Sequence, residues 1–168
     1  EDGKPVPASR GQLASHLKDS EMLPWNDLAA LEALLRDRPT EFAAVIMEPI
    51  MVNSGSIEPR PGYLEGVREL CTRYGVVLIF DEVITGFRVS RGGAAGLYGA
   101  TPDLATYGKA MAGGWPVAAL AGRRDIMELF GTGVVNHSGT FNASVMATSA
   151  VLATLKALQA DEGYSHAE

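Results

Sequence analysis

Val76-Val77-Leu78-Ile79-Phe80-Asp81-Glu82 is a five-residue apolar run that stops on two carboxylates. Its length and its content of valine, isoleucine and phenylalanine read as a buried strand, the strongest strand signal in the chain. Just upstream, Pro61-Gly62 opens a segment in which Tyr63, Val67, Leu70, Cys71 and Tyr74 recur at helical spacing. Gly75 suits the position after that helix. Further upstream, Ala43 to Glu48 is a second short apolar run without helical spacing, read as another buried strand. Strand, helix and strand at this length suit a right-handed parallel crossover. The expected class is therefore α/β with a mostly parallel sheet. In such sheets ligands sit beyond the carboxyl ends of the strands.

Working outward, the first two dozen residues are polar and turn-rich and receive no assignment. Asn26 is placed to cap a helix with Leu28, Leu31, Leu34 and Leu35 on one face, ended by Pro39. Downstream, Gly86 to Gly99 is glycine-rich, read as loop with a short helical turn. Leu104 to Tyr107 reads as a short strand running into Lys109, and Val117 to Ala121 as a further strand. A short helix over Asp125 to Phe130 and a long one over Ala143 to Leu158 complete the reading. No internal repeat or low-complexity segment interrupts it.

Composition narrows the function. The 168 residues can build one domain with a core. A net charge of -6 argues against general nucleic-acid binding, which needs a basic face. A local phosphate site stays open, since a few donors suffice. Cys71 is the single cysteine, and His16, His137 and His166 show no metal-ligand spacing with it. No run of about 18 apolar residues predicts a membrane span, and no signal peptide is visible, so the cytoplasm is the expected compartment. The chain opens on Glu1 without an initiator methionine, which reads as an excerpt of a longer protein.

Three groups of residues are suited to chemistry. Asp81 stands where a strand ends. It is either a cap or loop acid, or a fixed negative charge facing a cationic ligand such as a protonated pyridine nitrogen. Lys109 stands in Tyr107-Gly-Lys-Ala-Met-Ala-Gly-Gly-Trp-Pro116. Lysine is usually a solvated surface residue. The flanking Gly108, Gly113 and Gly114 would leave room for a bulky ligand, and an amine near the Asp81 strand end can form an imine with an aldehyde cofactor. Ser138-Gly139-Thr140-Phe141-Asn142 precedes the long helix and offers a phosphate site, or plain capping by Asn142, which is the simpler reading of the segment alone. No Gly-x-Gly-x-x-Gly follows a strand, and Gly108-Lys109 lacks the remainder of a Walker A loop.

Together the segments resemble the class III aminotransferase family. The matching stretches are Ala44-Val-Ile-Met-Glu-Pro49, Pro61-Gly-Tyr-Leu64, Leu78-Ile-Phe-Asp-Glu-Val-Ile-Thr-Gly-Phe-Arg88, Pro102-Asp-Leu104, Gly108-Lys109, Gly113-Gly-Trp-Pro-Val117 and Gly139-Thr140. The resemblance implies a three-layer, fold type I large domain, with residues 1–168 forming part of it and an N-terminal segment and C-terminal small domain outside. It implies pyridoxal 5′-phosphate (PLP) as cofactor, small amino and keto compounds as substrates, and a homodimer, with no nucleic-acid or membrane partner. Asp81 matches the residue that pairs with the pyridine nitrogen, and Val83 the apolar residue against one face of the ring. Lys109 matches the imine lysine that also shuttles the proton. Thr140 matches the threonine that reaches the phosphate of the neighbouring subunit's cofactor. Glu82 is expected to be structural. Arg88 and Arg91 either meet an acidic substrate or form surface salt bridges.

Phe87-Arg88-Val89 followed by Gly92-Gly93 looks most like the glutamate-1-semialdehyde 2,1-aminomutase branch. Asn53 stands where many amine and ω-amino acid transaminases carry a glutamate that pairs with a switch arginine. Three features depart from the aminomutase pattern: Trp115 in place of a smaller aliphatic residue, Ala118-Ala119 in place of a glycine-bearing stretch, and the lack of a Gly-Asn-Pro ending after Thr140. They favour an aminotransferase acting on another amino or keto acid. The alternatives are the aminomutase itself and a catalytically inactive homologue.

Overall fold

The computed structural model describes residues 9–160 and residue 164. Its first α-helix, α1 (Leu28–Asp37), turns Leu31 and Leu35 inward. The cap differs from expectation by one residue. Asp27 Oδ1 accepts from the Ala30 N–H at 3.0 Å, whereas Asn26 takes φ +66 and clips the helix start to a later loop. Its Nδ2 donates to Glu58 O and its Oδ1 accepts from the Arg60 N–H. Asn and Asp cap about equally well, so adjacent copies cannot be ranked by type.

The chain continues through β1 (Ala44–Met47), α2 (Tyr63–Tyr74), β2 (Val77–Asp81), α3 (Gly93–Tyr98), β3 (Leu104–Tyr107), β4 (Ala119–Gly122), α4 (Arg124–Gly131) and α5 (Val145–Ala160). The sheet runs in the order β1-β2-β3-β4. The first two pairings are parallel and the last is antiparallel, so the sheet is mostly parallel as the sequence predicts. Gly75 follows α2 in the left-handed region at φ +68. The long helix begins two residues later than its pattern suggests, because Ala143 sits at φ +54, outside helical geometry.

Leu78 and Phe80 of β2 are fully buried against Leu31, Leu35, Leu64, Val67, Leu70 and Cys71 of α1 and α2. The alternate residues Val77, Ile79 and Asp81 face the other way and are half-buried. A continuous apolar run suggests two covered faces; among the described residues only one is fully packed.

Asp103 lies at the amino-terminal end of the parallel strands β2 and β3, away from their carboxyl ends. Its Oδ2 accepts from the Leu78 N–H at 2.7 Å and from Arg68 at 2.8 Å, and its Oδ1 accepts from Arg123 at 2.9 Å. One buried carboxylate thereby joins β2, α2 and the start of α4.

Candidate active site

Asp81 closes β2 and lies level with Thr106 of the adjacent parallel strand β3. Because the two strands run the same way, their carboxyl ends open at one edge. Asp81 Oδ1 accepts from the Val83 N–H at 3.0 Å and from Thr106 Oγ1 at 3.3 Å. Its Oδ2 has no hydrogen bond among the described residues. It is also not enclosed, since no unpartnered side-chain oxygen or nitrogen there is buried.

Val83 lies in the turn after that carboxylate. A Cβ placed on Gly108 would touch Val83 Cγ1 at 3.5 Å, so the valine packs against the backbone that introduces Lys109. Lys109 opens a 3-10 turn (Lys109–Ala112) with φ +38 and is exposed. A left-handed non-glycine residue costs about 1–2 kcal/mol, and such outliers gather at functional sites. Asp81 and Val83 stand at and after the end of β2 and Lys109 after the end of β3, so all three lie at the carboxyl ends of adjacent parallel strands. Thr140 lies in the loop between α4 and α5, is exposed, and bonds to none of them.

The glycines around Lys109 also serve the backbone. Gly113 and Gly114 have φ +58 and +99 and reverse the chain after the 3-10 turn. A Cβ on Gly113 would also come within 3.0 Å of Thr154 Oγ1, where α5 packs on that turn. Asn142 does not cap α5; its side chain meets His137 Nδ1 at 3.3 Å, three residues before the helix starts.

Glu82 has the structural role its sequence suggested. Fully buried, it accepts from Thr85 Oγ1 at 2.5 Å and from the N–H groups of Ala94 and Ala95 at 2.9 and 2.7 Å. Its carboxylate locks the first turn of α3 to the end of β2 and fills the space a side chain at Gly93 would need. Tyr107 packs against Phe87 with ring centroids 5.3 Å apart and the planes tilted by 46°. Burial, reinforced by the Glu82 carboxylate, pushes its phenol above the usual range and keeps it neutral. Arg88 and Arg91 are exposed, and neither forms a salt bridge among the described residues.

Glu48 Oε1 accepts from Asn53 Nδ2 at 3.1 Å, and Glu48 Oε2 from the Val52 and Asn53 N–H groups. A glutamate at 53 would set a second carboxylate beside the first, so this neighbourhood suits asparagine. Sequence reading missed Thr106 and the junction role of Asp103. Neither has a local signal, because their partners are 25 residues away in the chain.

Asp81 thus ends β2, and Lys109, exposed and left-handed, follows the end of the adjacent parallel strand β3. The chain belongs to the class-III aminotransferase family, whose model matches residues 6–167. That family uses PLP. A relative from Roseiflexus castenholzii, glutamate-1-semialdehyde 2,1-aminomutase, is 48% identical over 156 residues, 92% of this chain and 36% of that protein. Among solved structures, a transaminase with PLP bound superposes with a TM-score of 0.84 at 32% identity, covering 91% of this chain and 37% of that one. An ω-transaminase from Sphaerobacter thermophilus gives 0.82 at 36% identity, with 94% and 38% covered. The α/β fold is that of PLP-dependent transaminases, and the chain spans a little over a third of these relatives' length.

Proposed function

We propose that this chain forms part of the cofactor-binding domain of a PLP-dependent aminotransferase, which moves an amino group between an amino acid or amine and a keto acid or aldehyde. The observation that carries this reading is the open Oδ2 of Asp81 at the end of β2 together with the exposed Lys109 just past the end of the adjacent parallel strand β3, with Val83 against the backbone of Gly108. The residues fit the cofactor's chemistry: an anion for a ring nitrogen, an amine for an aldehyde, and a branched apolar side chain for a ring face. The chemistry the cofactor supplies when bound is an electron sink for the substrate carbon that loses its proton. Asp81 holds the proton on the ring nitrogen. Val83 excludes water from one face. Lys109 would hold the cofactor's aldehyde carbon through Nζ and, once the substrate's amine had displaced it there and left Nζ a free amine, would take and return the substrate's proton.

Intramolecular amino transfer is the second reading, supported by the 48% identity to an aminomutase and by the Asn53–Glu48 pairing. A requirement for a separate amino acceptor separates the two. Thr140 is read as a phosphate contact in the partner subunit's site, which makes the working protein at least a homodimer.

The test is borohydride reduction of the holoenzyme followed by peptide mass mapping. A phosphopyridoxyl group on Lys109 is expected. A label on another lysine, such as Lys156, or undiminished transamination by Lys109→Ala, would refute the assignment. A holoenzyme without the cofactor's visible absorbance would point to a catalytically inactive homologue.

A further inference from the structure

We infer that Thr106 is a positioning residue that orients the Asp81 carboxylate, presenting Oδ2 to the cofactor's ring nitrogen; this rests on the PLP reading above. A carboxylate has two equivalent oxygens and a side chain free to rotate. Here the equivalence is broken. Oδ1 receives the Val83 N–H at 3.0 Å and the Thr106 hydroxyl at 3.3 Å. The first donor belongs to Asp81's own turn and the second to the neighbouring strand, so together they approach Oδ1 from two elements.

The strand register makes the second contact specific. Asp81 pairs with Thr106 across the parallel ladder, and Glu82 N–H donates to Thr106 O at 3.0 Å. The hydroxyl is thereby fixed level with the carboxylate. Thr106 is half-buried, and its backbone is also paired with Leu120 of β4, so it sits in a strand with neighbours on both sides. Threonine is well suited to this place: its branched Cβ fits a strand while its hydroxyl donates. Orientation matters because a catalytic acid or base partner displaced by a small angle loses much of its effect.

The experiment uses pyridoxamine 5′-phosphate, which has no aldehyde and so cannot be held covalently by Lys109. Its affinity for the apoenzyme is measured by titration calorimetry for wild type, Thr106→Val, Thr106→Ser and Asp81→Asn. Thr106→Val keeps the branched shape and removes the donor. It should bind about fivefold more weakly, the factor expected for one ordinary hydrogen bond. In the holoenzyme it should lower kcat while leaving KM for the amino donor nearly unchanged. Thr106→Ser should restore both, and Thr106→Val should cost little in a background of Asp81→Asn. Should the valine variant not fold, Thr106→Ala against Thr106→Ser makes the same comparison. Wild-type affinity and kcat in the variants without the hydroxyl would overturn the role of Thr106. So would a serine variant as impaired as they are. A wild-type apoenzyme that takes up no pyridoxamine phosphate would instead sink the PLP reading itself, and an Asp81→Asn variant with wild-type affinity would sink the Asp81 assignment.

Discussion

Asp81 ends its strand half-buried, with one oxygen saturated by two donors and the other open. No basic side chain forms a salt bridge with it among the described residues, so its open oxygen is free to meet an incoming cation. Replacing it by asparagine preserves the shape and removes the charge. Asp81→Asn should therefore leave PLP bound, through Lys109 and the phosphate contacts, while proton removal slows severely. A loss of about 4 kcal/mol of barrier stabilisation, roughly a thousandfold in rate, is expected. Single-turnover kinetics on the variant check this, and near-normal turnover would remove Asp81 from the role. That Asp81 ends a strand and that Lys109 follows one was legible in the sequence, because both carry local signals, an apolar run and a glycine-flanked lysine. The φ +38 of Lys109 was not, since a left-handed lysine has no compositional mark.

The elements were legible where their apolar spacing is local. Helix α2 and strand β2 follow from residues a few positions apart. The contacts between elements were not, and Asp103 is the clearest case. Burial pushes its carboxyl upward, but the Leu78 N–H, Arg123 and Arg68 together outweigh burial and hold it below the ordinary carboxylate range. The sign follows. A folded value below the unfolded one, near 3.9, gives stability that is present in full above about pH 4 and lost as pH falls through the folded value. Asp103→Asn should cost about 3 kcal/mol at neutral pH, near the low end for breaking a buried pair, because both arginines retain some contact with water. It should also flatten the acid limb of the stability curve. Chemical denaturation at pH 7 and pH 3 measures both, and a variant that loses as much stability as wild type between them would contradict the junction role. Cys71, by contrast, is a buried core thiol whose burial lifts it to about 11, so it should resist alkylation until α2 unfolds; labelling of the native protein at pH 8 checks this.

At the scale of the whole molecule, the loop and helix start around Thr140 present an apolar surface: Phe141 is 86% exposed, Val145 78% and Met146 63%. Three large apolar side chains clustered beside a hydroxyl are what a subunit boundary would cover. The dimer reading assigns Thr140 to the site of the partner subunit, and this has a consequence that mere association lacks. Each site then needs Lys109 from one chain and Thr140 from the other. Lys109→Ala homodimers should be inactive for want of the amine. Thr140→Glu homodimers should be inactive because a carboxylate repels the cofactor phosphate. When the two are unfolded together and refolded as a mixture, each mixed dimer holds one site with both residues intact. Random pairing makes half the dimers mixed, so about a quarter of the wild-type activity should return. If Thr140 served its own chain, every site in the mixture would lack one of the two residues and no activity would reappear. Light scattering on the unmixed variants establishes that they still pair, which separates a lost contact from a lost dimer.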